Sequence, residues 1–148
     1  MLFEPLNGEV MLNQRLELPQ NKSKLQLNPL VLVVDDNEDN ILYACSSLEL
    51  SNCQPIVAEN GQTALNLAID KLPDLILMDI VMPKVDGISL TRMLKSHLRT
   101  SHIPVIAVTG LAFPHQKEQI LNAGFDDYLC KPYLIEDLEN KLTFFLER

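Results

Sequence analysis

The sequence predicts an α/β domain built on a doubly wound, five-stranded parallel sheet. Three observations predict it. Short apolar, β-branched runs recur along the chain. Helix-period patterns lie between them. The strongest runs are apolar on both faces, as strands covered by helices on each side must be.

The first strand is LVLVV (30–34), followed by PIVA (55–58), DLILM (74–78), IPVIAV (103–108) and YLC (128–130). Ile41, Cys45 and Leu48 share one face of a helix over 40–51. Ala64, Leu65, Ala68 and Leu72 do so over 62–72, and Ile88, Thr91, Leu94 and Leu98 over 88–98. Pro114 suits the first turn of a fourth helix and Gly124 the position just past its end. Leu138, Leu142 and Phe145, at i, i+4 and i+7, mark the fifth. Five strands alternating with five helices make one domain over 29–148. Residues 1–28 carry Pro5, Gly8, Pro19 and the polar stretch QNKSK (20–24), and read as an extension. Within it, EVMLNQRLEL (9–18) is either a short docking helix or part of a mobile tail.

Bulk properties narrow the function. A chain of 148 residues buries about 68–70% of its unfolded surface and needs no disulfide staples. Its net charge of −8 argues against general nucleic-acid binding and against an anionic membrane surface. Cys45, Cys53 and Cys130 are scattered, with no metal-ligand spacing, and read as reduced thiols of a cytoplasmic protein. No apolar stretch approaches the ~20 residues of a membrane helix. No basic n-region of a signal peptide stands at the N-terminus.

In an open parallel sheet, ligands bind outside the carboxyl ends of the strands. The first strand ends in Asp35-Asp36, the third in Asp79, the fourth in Thr109-Gly110 and the fifth in Lys131-Pro132. Three carboxylates at one edge cannot all stay ionised without a cation. A hard divalent ion suits them, and Lys131 and Thr109 suit a phosphoryl group beside it. Asp79 then either ligates the metal only or attacks phosphorus itself. Taken singly, each residue has a plainer reading. Asp36 or Asn37 caps the next helix. Thr109 bonds its own loop, Lys131 is solvated, and Asp86-Gly87 is a turn.

The set VVDDNED (33–39), LILMDIVMPKVDG (75–87), PVIAVTG (104–110) and DDYLCKPY (126–133) resembles the receiver domain of two-component response regulators, over about residues 30–147. The resemblance implies a flavodoxin-like (βα)5 fold with strand order 2-1-3-4-5. It implies Asp79 as phosphoacceptor, loaded by a sensor histidine kinase or a histidine phosphotransfer protein. Mg²⁺, or Mn²⁺ as a substitute, falls to Asp35, Asp36, Asp79 and the backbone carbonyl of Val81. Thr109, Gly110 and Lys131 fall to the phosphoryl group, with Gly110 small for access. The resemblance implies Thr109 and Tyr128 as the switch. The Lys131–Pro132 bond is expected to be cis. The resemblance also implies that Met82-Pro83 sets the loop that lets the site open, although Met82 equally suits a surface position. By the same resemblance, Val81 and Leu111 match the positions that tune dephosphorylation in receivers. Neither side chain can hydrogen-bond an attacking water, which predicts a long-lived acyl phosphate.

The resemblance also implies a signalling domain rather than an enzyme, limited to self-phosphorylation and slow autodephosphorylation. Its output is a change in the face of the fourth helix, fifth strand and fifth helix. Phe113, Ile120 and Tyr128 are expected outward or near the surface there, for a downstream protein target or a second copy. Two alternatives are a phosphate carrier within a phosphorelay and a phosphorylation-independent interaction domain. A haloacid-dehalogenase-type phosphatase would want an acid at Val81. A flavin-binding loop would find DDNED repulsive to its phosphate. A histidine phosphotransfer protein would be all-helical, whereas His97, His102 and His115 lie in an α/β pattern and are expected to face solvent.

Overall fold

The computed structural model describes residues 28–82, 85–110 and 114–147. The expectation for the 1–28 extension therefore falls outside the described residues, save Asn28. Strands β1 (Leu30–Val34), β2 (Gln54–Ala58), β3 (Leu75–Asp79), β4 (Val105–Thr109) and β5 (Asp127–Cys130) form one sheet in the order 2-1-3-4-5. Every neighbouring pair is parallel. Helices α1 (Glu38–Leu50), α2 (Gly61–Lys71), α3 (Gly87–Ser96), α4 (Pro114–Asn122) and α5 (Ile135–Leu146) connect and cover it. A two-residue antiparallel ribbon, Val81–Met82 with Val85–Asp86, follows β3.

Alternation along the strands divides the core into two layers. Leu32, Val34, Ile76, Met78 and Ala107 face one side and meet Leu90, Leu94 and Ile120. Val31, Val33, Leu75, Leu77, Ile106 and Val108 face the other and meet Leu48, Leu138 and Leu142. β3 is buried along its whole length, which explains its unbroken apolar run. Local caps start the helices. Asn37 accepts from Asn40 N–H at 2.9 Å and Asn60 from Thr63 N–H at 2.8 Å. Gly124 takes φ +108 just after α4, a conformation that favours glycine.

Four expectations are corrected. Leu72 leaves the apolar stripe of α2, because it caps that helix in a left-handed conformation and is exposed. Leu98 lies outside α3, which ends at Ser96; Thr100 Oγ1 donates to the Leu94 carbonyl and turns the chain, leaving Leu98 93% exposed. Ile120 is buried rather than outward, because its face of α4 packs on the core with Ala123 and Phe125. The fourth strand runs 105–109 rather than 103–108; Ile103 is buried ahead of it and Pro104 lends its carbonyl to Ile76 N–H. Among the described residues no helix is long and apolar enough to cross a membrane. His102 is exposed and His97 half-buried.

Candidate phosphoryl and metal site

The parallel register brings the carboxyl ends of β1, β3, β4 and β5 to one edge. Asp35 follows β1 directly, and its N–H donates to Ala58 O of β2 at 3.1 Å. Its Oδ1 accepts from Asn37 N–H at 3.0 Å, which fixes the carboxylate at the turn into α1. Asp35 and Asp79 are each 5% exposed, whereas Asp36 is exposed. Asp79 is the last residue of β3 rather than just past it. Carboxylate oxygens of Asp35, Asp36 and Asp79 lie within 4.8 Å of one another. Lys131 Nζ stands 3.4 Å from Asp79 Oδ1 and 3.9 Å from Asp35 Oδ2. The Lys131 N–H donates to Thr109 O at 2.8 Å, which ties the lysine to the end of β4. Thr109 is buried at 1% exposure. The Lys131–Pro132 peptide is cis.

Three acids against one ammonium leave a net negative cluster of hard oxygen donors. That donor set fits a divalent cation such as Mg²⁺, with Asp35, Asp36 and Asp79 to hold it. Asp36 caps nothing in the described contacts; Asn37 caps α1.

Other expected site residues are placed as follows. Val81 begins the ribbon after β3, pairing with Asp86; its side chain is not described. Leu111 and Phe113 lie outside the described residues, as does Pro83. Met82 is buried. Gly110 is exposed, and a Cβ built there meets nothing within 4 Å. Tyr128 is half-buried on β5, in register with Ala107, two residues before Thr109. Both side chains thus leave the same face of the sheet. Two ammonium groups flank its ring, Lys117 Nζ at 5.2 Å and Lys141 Nζ at 5.9 Å from the centroid.

Four residues near the site have roles beyond the sequence expectation, which gave Asp86-Gly87 as a turn and gave Tyr43 and Tyr133 no role. Asp86 is the N-cap of α3, accepting from Ile88 N–H at 3.0 Å, and Gly87 opens that helix. A Cβ on Gly87 would meet Asp79 O at 2.9 Å and Ile80 Cα at 3.1 Å, so glycine lets α3 approach the acceptor's backbone. The Asp86-Gly87 pair is thus a helix start and a close approach. A dipeptide alone carries no sign of what lies across from it. Tyr43 and Tyr133, 90 residues apart, meet edge to face at 5.2 Å between centroids, and Tyr43 Oη donates to Tyr133 O at 2.7 Å. Burial pushes the Tyr133 phenol up to about 12, with Tyr43, Asp35 and Cys45 adding to it. With Ala44 and Pro132 the two rings wall a cavity of about 520 Å³ that reaches Asp79 and Lys131.

The chain matches the family model described as the response regulator receiver domain over residues 31–143. It is 43% identical over 102 residues to the polar-differentiation response regulator DivK of Brucella anthropi, covering 69% of this chain and 83% of that one. Among solved structures it resembles the receiver domain of a Francisella response regulator, with a TM-score of 0.75 and 34% identity, over 82% of this chain and 98% of the other. It also resembles the receiver domain of a sensor histidine kinase from Pseudomonas aeruginosa, solved with a magnesium ion coordinated in the active-site cleft. That likeness has a TM-score of 0.76 and 30% identity, over 82% and 99% of the two chains. The chain belongs to the receiver-domain family of two-component response regulators.

Proposed function

We propose that Asp79 accepts a phosphoryl group from a phosphohistidine of a sensor kinase or phosphotransfer protein. One observation carries this reading: a carboxylate 5% exposed at the end of the central strand, with a lysine at 3.4 Å and two further acids within 4.8 Å. In transfer, an Asp79 oxygen attacks phosphorus, the donor's N–P bond breaks, and its electron pair leaves with the imidazole. Lys131 compensates charge on the transferred oxygens and Thr109 offers its hydroxyl to one of them. Asp35 and Asp36, with Asp79 and the Val81 carbonyl, would hold Mg²⁺, which supplies charge neutralisation at the phosphoryl oxygens. The phosphorylated domain then signals through the face of α4, β5 and α5; Thr109, at the end of β4, and Tyr128, on β5, share one side of the sheet. Its targets there are a downstream protein or a second copy.

Incubation with acetyl phosphate, read by intact mass, tests the reading. With Mg²⁺ the protein gains one phosphoryl group; without Mg²⁺, or in Asp79→Asn, it gains none. A wild-type protein that takes up neither phosphoryl nor beryllofluoride with Mg²⁺ present overturns it. The same samples time the loss of phosphate, which we expect to be slow and to quicken in Val81→Asn. Equal decay in both proteins removes the role given to Val81.

A further inference from the structure

The Tyr43–Tyr133 contact joins the two sides of the site. α1 starts two residues after Asp36, and Asp35 Oδ1 receives the N–H of Asn37, so α1 and the acidic pair are one rigid piece. The segment 131–134 carries the ammonium. That segment is held to β4 through Lys131 N–H on Thr109 O at 2.8 Å, and to α5 through Leu134 N–H on Asp137 Oδ2 at 3.0 Å. Its hydrogen bond to α1 is the one from Tyr43 Oη to Tyr133 O, at 2.7 Å. The Tyr133 ring, 8% exposed, packs in the core layer of α1 and α5 with Ala44, near Asp35 and Cys45.

We propose that Tyr43 is a positioning residue for phosphoryl transfer: its hydroxyl, acting through the Tyr133 carbonyl, sets where Lys131 stands relative to Asp35 and Asp79. The proposal rests on the phosphoacceptor reading above. A phenylalanine at 43 keeps the edge-to-face contact, so the hydroxyl alone is removed by Tyr43→Phe. With this link gone, the lysine's segment keeps its ties to β4 and α5 but loses its register on α1. Metal ligands are untouched, because Asp35 and Asp36 lie in the turn between β1 and α1 and Asp79 ends β3.

Three readouts decide it. Phosphorylation of Tyr43→Phe by acetyl phosphate at saturating Mg²⁺ slows about three- to tenfold, the scale of one net hydrogen bond. Its Mg²⁺ dissociation constant, by calorimetry, stays within about twofold of wild type. The ¹³Cε resonance of Lys131 moves, while those of Lys95 and Lys141, paired with Asp126 and Asp127 elsewhere, do not. A normal rate, an unmoved Lys131 resonance, or equal movement of all three lysines each overturns the proposal. So does a loss of rate explained by weakened Mg²⁺ binding. A wild-type protein that takes up no phosphoryl group fails the functional reading instead, and the resonance still tells whether Tyr43 places Lys131.

Discussion

The two edges of the sheet use the same residue types to opposite ends. At the amino edge, Asp74 precedes β3 and accepts from Leu30 N–H at 2.8 Å. Asp126 precedes β5 and its Oδ2 accepts from both Val105 N–H and Lys95 Nζ at 2.8 Å. Each carboxylate there meets its own donor and staples one strand start to the next. At the carboxyl edge, Asp35, Asp36 and Asp79 share one nearby ammonium at 3.4 to 3.9 Å from two of them. The difference is one of ratio. Each acid at the amino edge has a donor close to itself, while three carboxylates within 4.8 Å of one another around one lysine leave net negative charge that suits a cation.

Exchanging the roles of the two lysines gives the largest expected effect. Lys131→Ala lowers phosphoryl uptake from acetyl phosphate by about 10²-fold or more, as loss of one charge-stabilising group does. Its stability to urea changes little. Lys95→Ala destabilises by about 1 kcal/mol, discounted for partial exposure, and leaves uptake near wild type. Rates and urea midpoints measured on both variants check this. Wild-type transfer by Lys131→Ala would make the two edges functionally alike and break the comparison.

A second variant tests how closely the carboxyl edge is packed. Gly87→Ala places a methyl 2.9 Å from Asp79 O, against backbone that cannot swing aside. We expect a loss of about 1–3 kcal/mol by urea unfolding, together with slower phosphorylation as the acceptor strand end shifts. A fully stable Gly87→Ala would show that the ribbon and α3 yield without moving Asp79.

The smallest effect is a pH slope. The Tyr133 phenol ionises at about 12 in the fold against 10.0 unperturbed, mainly through burial and partly through Tyr43 and Asp35. A group whose proton is held more tightly in the fold stabilises fully below the unfolded value. That contribution is lost as pH rises from about 10 to about 12, where the unfolded chain ionises first. Urea midpoints should therefore fall less steeply across this window in Tyr133→Phe than in wild type. Identical slopes would mean that burial does not hold the Tyr133 proton in the fold.

Much of this was legible in the chain itself. The runs LVLVV, DLILM and IPVIAV identify buried parallel strands because a strand covered on both faces needs apolar residues at every position. The strand-end acids, Thr109 and Lys131 were found for the same reason: where each apolar run stops, the polar residue marks the edge. Element ends were less legible. Leu72 and Leu98 continue the helical period of their neighbours, yet a left-handed cap and the Thr100 turn take them out of the helix. Periodicity reports which face a residue would have, and says nothing of where backbone hydrogen bonding stops.

What the sequence by itself determined is the set of elements, their layering and the chemical inventory of one edge, because those follow from local pattern and from the direction of parallel strands. Only the tertiary structure decided the distances within that inventory: Lys131 beside Asp79, Gly87 against the acceptor's carbonyl, and Tyr43 on the carbonyl of Tyr133 across 90 residues. The first and last of these join residues far apart in the chain, and the second depends on how the ribbon after β3 folds back. Their geometry is set by how two layers of helices pack on a twisted sheet, and no local stretch of sequence carries it.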